Sequence, residues 1–290
     1  MAEKKPVDEL SGTPTTGHEW DGIRELNTPL PRWWLWTFYA TILWAIAYWV
    51  LMPSWPGITG YYHGLLGYSS RAAIDASMAA AHRDMAAMNG KIAAASLAEI
   101  EKTPALLDFA LAAGISAFSV NCSQCHGADA AGHKGFPNLN DDDWLWGGTL
   151  DQVAFTITHG VRNGNDPDAR DSQMPRFLTD GILTREQIGD VADYVLSLSG
   201  QPHDAAAAAR GQPLFAENCA ACHGDKGQGN PEVGAPRLSD HIWLYGGDRA
   251  TIIQTISFAR NGVMPNWGAR LDPVTIKELA VYVHSLGGGQ

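Results

Sequence analysis

Two short runs restrict this 290-residue chain more than any other feature: Cys122-Ser123-Gln124-Cys125-His126 and Cys219-Ala220-Ala221-Cys222-His223. Each reads C-x-x-C-H, the attachment signature of c-type haem. Two thiols at this spacing add across the two vinyl groups of one porphyrin, and the histidine that follows is held beneath the iron. Zinc would ask for four ligands, with a second C-x-x-C or an H-x-H close by. A thioredoxin-like redox pair sits in a β-α-β setting. Neither context surrounds these runs. They also consume all four cysteines, which leaves none for a disulfide framework.

The runs belong to a longer duplication. At the same offset of 97, Gly114, Phe118 and Asn121 match Gly211, Phe215 and Asn218. Gly135, Pro137, Leu139, Trp144, Gly147 and Gly148 recur 99 residues on as Gly234, Pro236, Leu238, Trp243, Gly246 and Gly247. Arg162-Asn163-Gly164 returns as Arg260-Asn261-Gly262, Met174-Pro175 as Met264-Pro265, and Tyr194-Val195 as Tyr282-Val283. The order is kept and only loop lengths change. Two copies of one domain are therefore expected rather than a solenoid, joined at Gly200-Gln201-Pro202-His203.

Each copy needs a second axial ligand. Met174 and Met264 stand at matched positions, each followed by a proline that stiffens the loop, and a thioether raises the reduction potential relative to a second histidine. His133, His159, His241 and His284 do not recur at matched positions. By default Met174 completes the iron on His126 and Met264 the iron on His223, while closely packed copies would allow the two to be exchanged. The Gly135-Phe136-Pro137 and Gly234-Ala235-Pro236 turns are expected to bring a carbonyl to the proximal histidine Nδ1. Gly114 and Phe118 are expected to pack on the aromatic helix of their own copy, at Tyr194, and Gly211 and Phe215 at Tyr282. Trp144 and Trp243 suit haem edges or core packing, and Arg162 and Arg260 suit haem propionates.

Ahead of the duplication, Trp33–Ser70 contains no Asp, Glu, Lys or Arg. Its apolar part, WWLWTFYATILWAIAYWVLM, is about 30 Å long as a helix, the thickness of a bilayer core. Six of the eleven tryptophans lie in or beside it, as an interfacial aromatic belt would require. No small-residue cleavage site follows, so the span reads as a retained anchor. Residues 69–103 are alanine-rich with apolar residues at helical intervals, predicting connecting helices broken at Asn89-Gly90. The net charge of −11 falls mostly beyond residue 100. That sign argues against nucleic-acid binding and suits a basic partner.

Each copy resembles a class I cytochrome c over residues 105–289. The whole chain resembles subunit III of a cbb3-type cytochrome c oxidase, on the strength of His18-Glu19-Trp20-Asp21-Gly22-Ile23 and Asn27-Thr28-Pro29-Leu30-Pro31-Arg32-Trp33-Trp34 ahead of a single span. The resemblance implies an all-α chain with one N-terminal transmembrane helix followed by two tandem class I cytochrome c domains. Its expected parts are a cytoplasmic segment 1–32, a transmembrane helix 33–53, a partly helical periplasmic linker 54–104, and haem domains 105–200 and 201–290. It implies an inner-membrane electron-transfer subunit, not itself an enzyme, carrying two covalent haem c. Cys122, Cys125, His126 and Met174 would hold one, and Cys219, Cys222, His223 and Met264 the other, unless the methionines are exchanged. Electrons would come from a donor cytochrome c or a quinol-oxidising complex and leave to mono-haem and catalytic subunits. The competing readings are a free-standing anchored di-haem carrier, a dehydrogenase cytochrome subunit and a di-haem peroxidase. The last needs an open iron position, which two Met-Pro loops argue against.

Overall fold

Asp21-Gly22 folds the N-terminal segment back on itself. In the computed structural model, which describes residues 6–287, β1 (Thr15–Trp20) and β2 (Ile23–Leu26) pair antiparallel with Trp20 opposite Ile23. The outermost residues of the expected segments 1–32 and 201–290 lie outside that range. Asp21 and Gly22 have φ of 47° and 83°. Positive φ at both central positions is what a two-residue type I′ turn demands, and Asp-Gly favours it. Glu19 and Arg24 clasp across the strands at 2.7 Å. The expectation of an all-α chain holds apart from this hairpin.

The chain divides into two units, Met1–Asp84 and Met85–Gln290. In the first, α1 (Arg32–Leu51) starts after Pro31 and ends where the Met52 N–H closes on the Tyr48 carbonyl. None of its residues is buried. Seventeen of its twenty residues are apolar, all but Arg32, Thr37 and Thr41, and a helix this long and apolar is suited to crossing a bilayer core.

A long helix, α2 (Ser70–Ala94), runs unbroken through Asn89-Gly90, against the expected break. A helix tolerates one glycine at about 1 kcal/mol. The interruption comes instead at Ala95-Ser96, where the Ser96 hydroxyl accepts from the Glu99 N–H and the Glu99 carboxylate takes the Ser96 N–H, starting α3 (Leu97–Lys102). Such a reciprocal cap satisfies two donors that a new helix leaves open. The ammonium of Lys277 receives the end of α2 by donating to the carbonyls of Ile92, Ala93 and Ala95 at 3.1, 2.8 and 2.6 Å.

The remaining helices come in two matched series. The first is α4 (Pro104–Asn121), the single turn α5 (Ser123–His126), α6 (Leu150–His159) and α7 (Arg185–Leu198). The second is α8 (Ala205–Asn218), the single turn α9 (Ala220–His223), α10 (Arg249–Phe258) and α11 (Pro273–Ser285). Thr149 and Thr184 open α6 and α7 through capping boxes, and Asp248 and Asp272 cap α10 and α11. By length and apolarity α4 resembles a membrane span. It buries Ala110, Gly114 and Phe118 and packs on α11.

The packing is crossed between the series. α4 pairs with α11 and α8 with α7, while α6 joins α11 and α10 joins α7. The expectation that Gly114 and Phe118 meet Tyr194 is therefore corrected. Phe118 meets Tyr282 at a ring separation of 5.4 Å, and Phe215 meets Tyr194 at 5.2 Å. A Cβ on Gly114 would lie 2.5 Å from the Glu278 carbonyl oxygen, and one on Gly211 would collide with that of Asp190. Two helices this close leave room only for glycine. The chain's own economy selects the partner. Residues 199–204 form a short connection that turns α7 directly onto α8, as short helix–helix loops do.

Candidate haem centres

Each C-x-x-C-H run occupies one helical turn at the foot of a core helix. Cys122 ends α4 and Cys219 ends α8, and Gly127 and Gly224, with φ of 82° and 79°, close the turns. One turn brings the two thiols and the histidine to one side. The His126 Nδ1 lies 3.1 Å from the Pro137 carbonyl oxygen and the His223 Nδ1 lies 2.9 Å from that of Pro236. A carbonyl only accepts, so Nδ1 carries the proton and the Nε2 lone pair is left for a metal. Burial pulls both imidazoles below the ordinary histidine range against the opposing pull of the proline carbonyls, which keeps them neutral. Burial, with Cys125 and Cys222 adding to it, pushes the Cys122 and Cys219 thiols up to about 11. None of the four cysteines is paired in a disulfide, which leaves all of them for thioether attachment.

Each methionine lies in the core cluster of the other copy's C-x-x-C-H run. Met264 packs against the buried cluster built on Phe118, as do Cys122, Leu139, Trp144 and Tyr282. Met174 packs against the buried cluster built on Phe215, as do Cys219, Leu238, Trp243 and Tyr194. Each loop is strapped by the other copy. Val161 and Met264 exchange two backbone hydrogen bonds of 2.9 Å, and the Met174 N–H donates to the Asn261 side chain at 3.3 Å. The other candidates are engaged elsewhere or turned outward. His133 packs on Phe136, His159 on Asp166 and His284 on Glu101, and His241 is exposed. A thiol and a thioether at each apolar cluster, beside a helical turn that carries the second thiol and a neutral imidazole, fit a haem c in both places.

Two aromatic side chains escaped the sequence reading. Trp146 lies against Gly234, and Tyr245 lies against Gly135, whose N–H donates to the Leu244 carbonyl at 2.8 Å. The proximal-side loop of each copy is thus covered by the aromatic of the other. Their shared offset of 99 was the available signal. Between the same loops, burial first and then Asp240 and Asp141 push the Asp143 carboxyl up to about 6, with Arg237 opposing. Arg162 and Arg260, expected at propionates, spend donors within the chain: Arg162 on the Gly262 and Ser172 carbonyls, Arg260 on Gln254.

Family models match three stretches. Residues 12–59 match the N-terminal domain of cytochrome oxidase-cbb3, FixP. Residues 111–199 match cytochrome c, and residues 206–283 match cytochrome c oxidase, cbb3-type, subunit III. Among curated proteins, the chain is similar to the cbb3-type cytochrome c oxidase subunit FixP of Bradyrhizobium sp. (strain ORS 278), with 58% identity covering 100% of both chains. It is 57% identical to the FixP subunit of Azorhizobium caulinodans, over 98% of this chain and 97% of that one. It is also 54% identical to the CcoP subunit of Cereibacter sphaeroides, over 99% of each.

Proposed function

This chain belongs to the subunit III family of cbb3-type cytochrome c oxidases, as an electron-transfer subunit and not the catalytic one, and we propose that it holds two haem c groups by crossed ligation. Cys122, Cys125, His126 and Met264 hold one, and Cys219, Cys222, His223 and Met174 hold the other. Cytochrome c domains carry covalent haem c, which when bound supplies a one-electron carrier. The observation that carries the crossed reading is the placing of Met264 among the side chains around Cys122 and of Met174 among those around Cys219.

The chain's own residues then do three things. The proline carbonyls fix the tautomer and raise the basicity of each proximal histidine. The two Met-Pro loops present a soft ligand that favours the reduced iron. The apolar clusters around Phe118 and Phe215 exclude water, and a histidine with a methionine at each iron would leave no position for a substrate, which suits relay and not turnover. Variants that attach a single haem test the assignment. With Cys219→Ser and Cys222→Ser in place, Met264→Ala is expected to abolish the methionine-sulfur-to-iron absorbance and Met174→Ala to leave it. The reverse result means uncrossed ligation.

The chain's assembly within an oxidase complex makes catalytic subunits its partners. We further assign a mono-haem subunit as acceptor and a basic cytochrome c, or a quinol-oxidising complex, as donor, in keeping with the acidity beyond residue 100. Haem attachment on the outer face of the inner membrane puts residues beyond about 53 in the periplasm and residues 1–32 in the cytoplasm, with α1 crossing between them. Protease added to intact spheroplasts is expected to release haem-bearing fragments. Full protection of the haem would reverse the orientation.

A further inference from the structure

We propose that Arg162 is a positioning residue that fastens both methionine loops, so that one side chain holds the two axial sulfurs in place together. The proposal rests on Met174 and Met264 being ligands, and it holds whichever iron each one meets.

Ser172 and Gly262 each stand two residues before a methionine. The Arg162 Nη1 donates to the Ser172 carbonyl at 2.9 Å and its Nε donates to the Gly262 carbonyl at 2.8 Å. A guanidinium offers its N–H groups in a rigid fork, so two carbonyls on separate strands are gripped at fixed angles. An ammonium is a point donor and does not reproduce that grip.

The backbone at Arg162 is held just as firmly. Val161, its neighbour, exchanges two hydrogen bonds with Met264, and the Arg162 N–H donates to the Arg170 carbonyl at 2.7 Å. Its φ is 49°, a left-handed pose that is strained for a residue with a Cβ and persists only where the surroundings over-determine it.

The charge of Arg162 has no carboxylate partner within ion-pair distance among the described residues. Its guanidinium lies 5.9 Å from the Trp146 ring centre, and burial pulls it below the usual arginine range, though it remains charged. A half-buried cation balanced by carbonyl dipoles stabilises the more electron-rich state of groups around it. The sequence counterpart, Arg260, donates to neither methionine loop. It reaches Gln254 on α10 and lies 5.0 Å from the Tyr245 ring centre.

The test uses the full di-haem protein with Arg162→Ala, Arg162→Lys and Arg260→Ala, read by the methionine-sulfur-to-ferric-iron absorbance and by redox titration. If the unsubstituted protein lacked that absorbance, the ligand reading itself would fail. With it present, Arg162→Ala is expected to weaken the absorbance of both haems and to move both midpoints negative together. Arg162→Lys keeps the charge but loses the fork, so it is expected to restore the absorbance only in part, and it decides the matter if the alanine variant does not accumulate. Arg260→Ala is expected to leave both haems as they were. A shift confined to one midpoint, full restoration by lysine, or an equal effect from Arg260→Ala overturns the proposal.

Discussion

Around Cys219, the inward carboxylates of α7 are met by cations: Asp190 by Arg210 at 2.6 Å and Asp193 by Arg249 at 2.7 Å. Around Cys122, the place of α7 is taken by α11, and Glu278 stands where Asp190 stands in the other cluster. The first copy has Ala113 in the position of Arg210 and Leu150 in that of Arg249. Glu278 is buried with no cation within ion-pair distance among the described residues. Burial, with Asp272 adding to it, pushes its carboxyl up to about 7. Glycine contacts and ring pairs are the same in both clusters, so packing has been kept through the duplication while the polar network has not. The shape of a close helix crossing admits few residues, whereas a carboxylate at its margin is satisfied either by a cation or by a proton.

The strongest way to break this contrast is to remove a cation from the second cluster. Arg249→Ala strands Asp193, whose side chain is only 2% exposed. Leaving a buried charge alone costs about 3–5 kcal/mol. Because Arg249 is itself half-exposed, about 2–3 kcal/mol is the expected loss. The sign with pH follows. Burial raises the Asp193 carboxyl, but the Arg249 hydrogen bonds and the Asp204 N–H outweigh it and hold it below the ordinary 3.8. The pair therefore stabilises the fold above about pH 4 and is lost as pH falls through the depressed value. Denaturant unfolding at neutral pH should show the deficit, and the two proteins should converge in strong acid. Equal stability at pH 7 would mean that Arg249 does not neutralise Asp193.

Much of this was readable beforehand because the chemistry is local. Cys122, Cys125 and His126 sit in five consecutive residues, and Pro137 reaches His126 through a turn whose glycine announces it. The anchor was readable because an uncharged stretch has few other places to go. The crossing of α4 onto α11 was not readable, since matched copies offer Gly114 two equivalent partners, Tyr194 and Tyr282, and spacing does not choose between them. The short loop 199–204 carried the decisive information, through geometry and not through residue type. Trp146 and Tyr245 share the offset of 99 but not their identity, so residue identity between the two copies does not mark them. The hairpin at Asp21-Gly22 had a clear turn signal but lacked the alternating apolar flanks that draw attention to strands.

The smaller effect comes from giving the first cluster what it lacks. Glu278→Gln removes the ionisation while keeping the shape. In the unfolded chain the carboxyl titrates near 4.5 and in the fold near 7, so between those values the unfolded chain has shed a proton that the folded one retains. Stability then declines as pH rises from about 4.5 to 7 and stays level above. The substitution is expected to flatten that decline, leaving the variant more stable than the parent at pH 8 and somewhat less stable than it near pH 4, where only the cost of the buried amide remains. A gain of about 1–2 kcal/mol is expected rather than the full value of the shift, because the amide brings N–H groups that need partners in the same apolar crossing. Unfolding midpoints measured across that range check it. A constant offset at every pH would show that Glu278 is neutralised by something other than a proton, and the two clusters would then differ less than their sequences suggest.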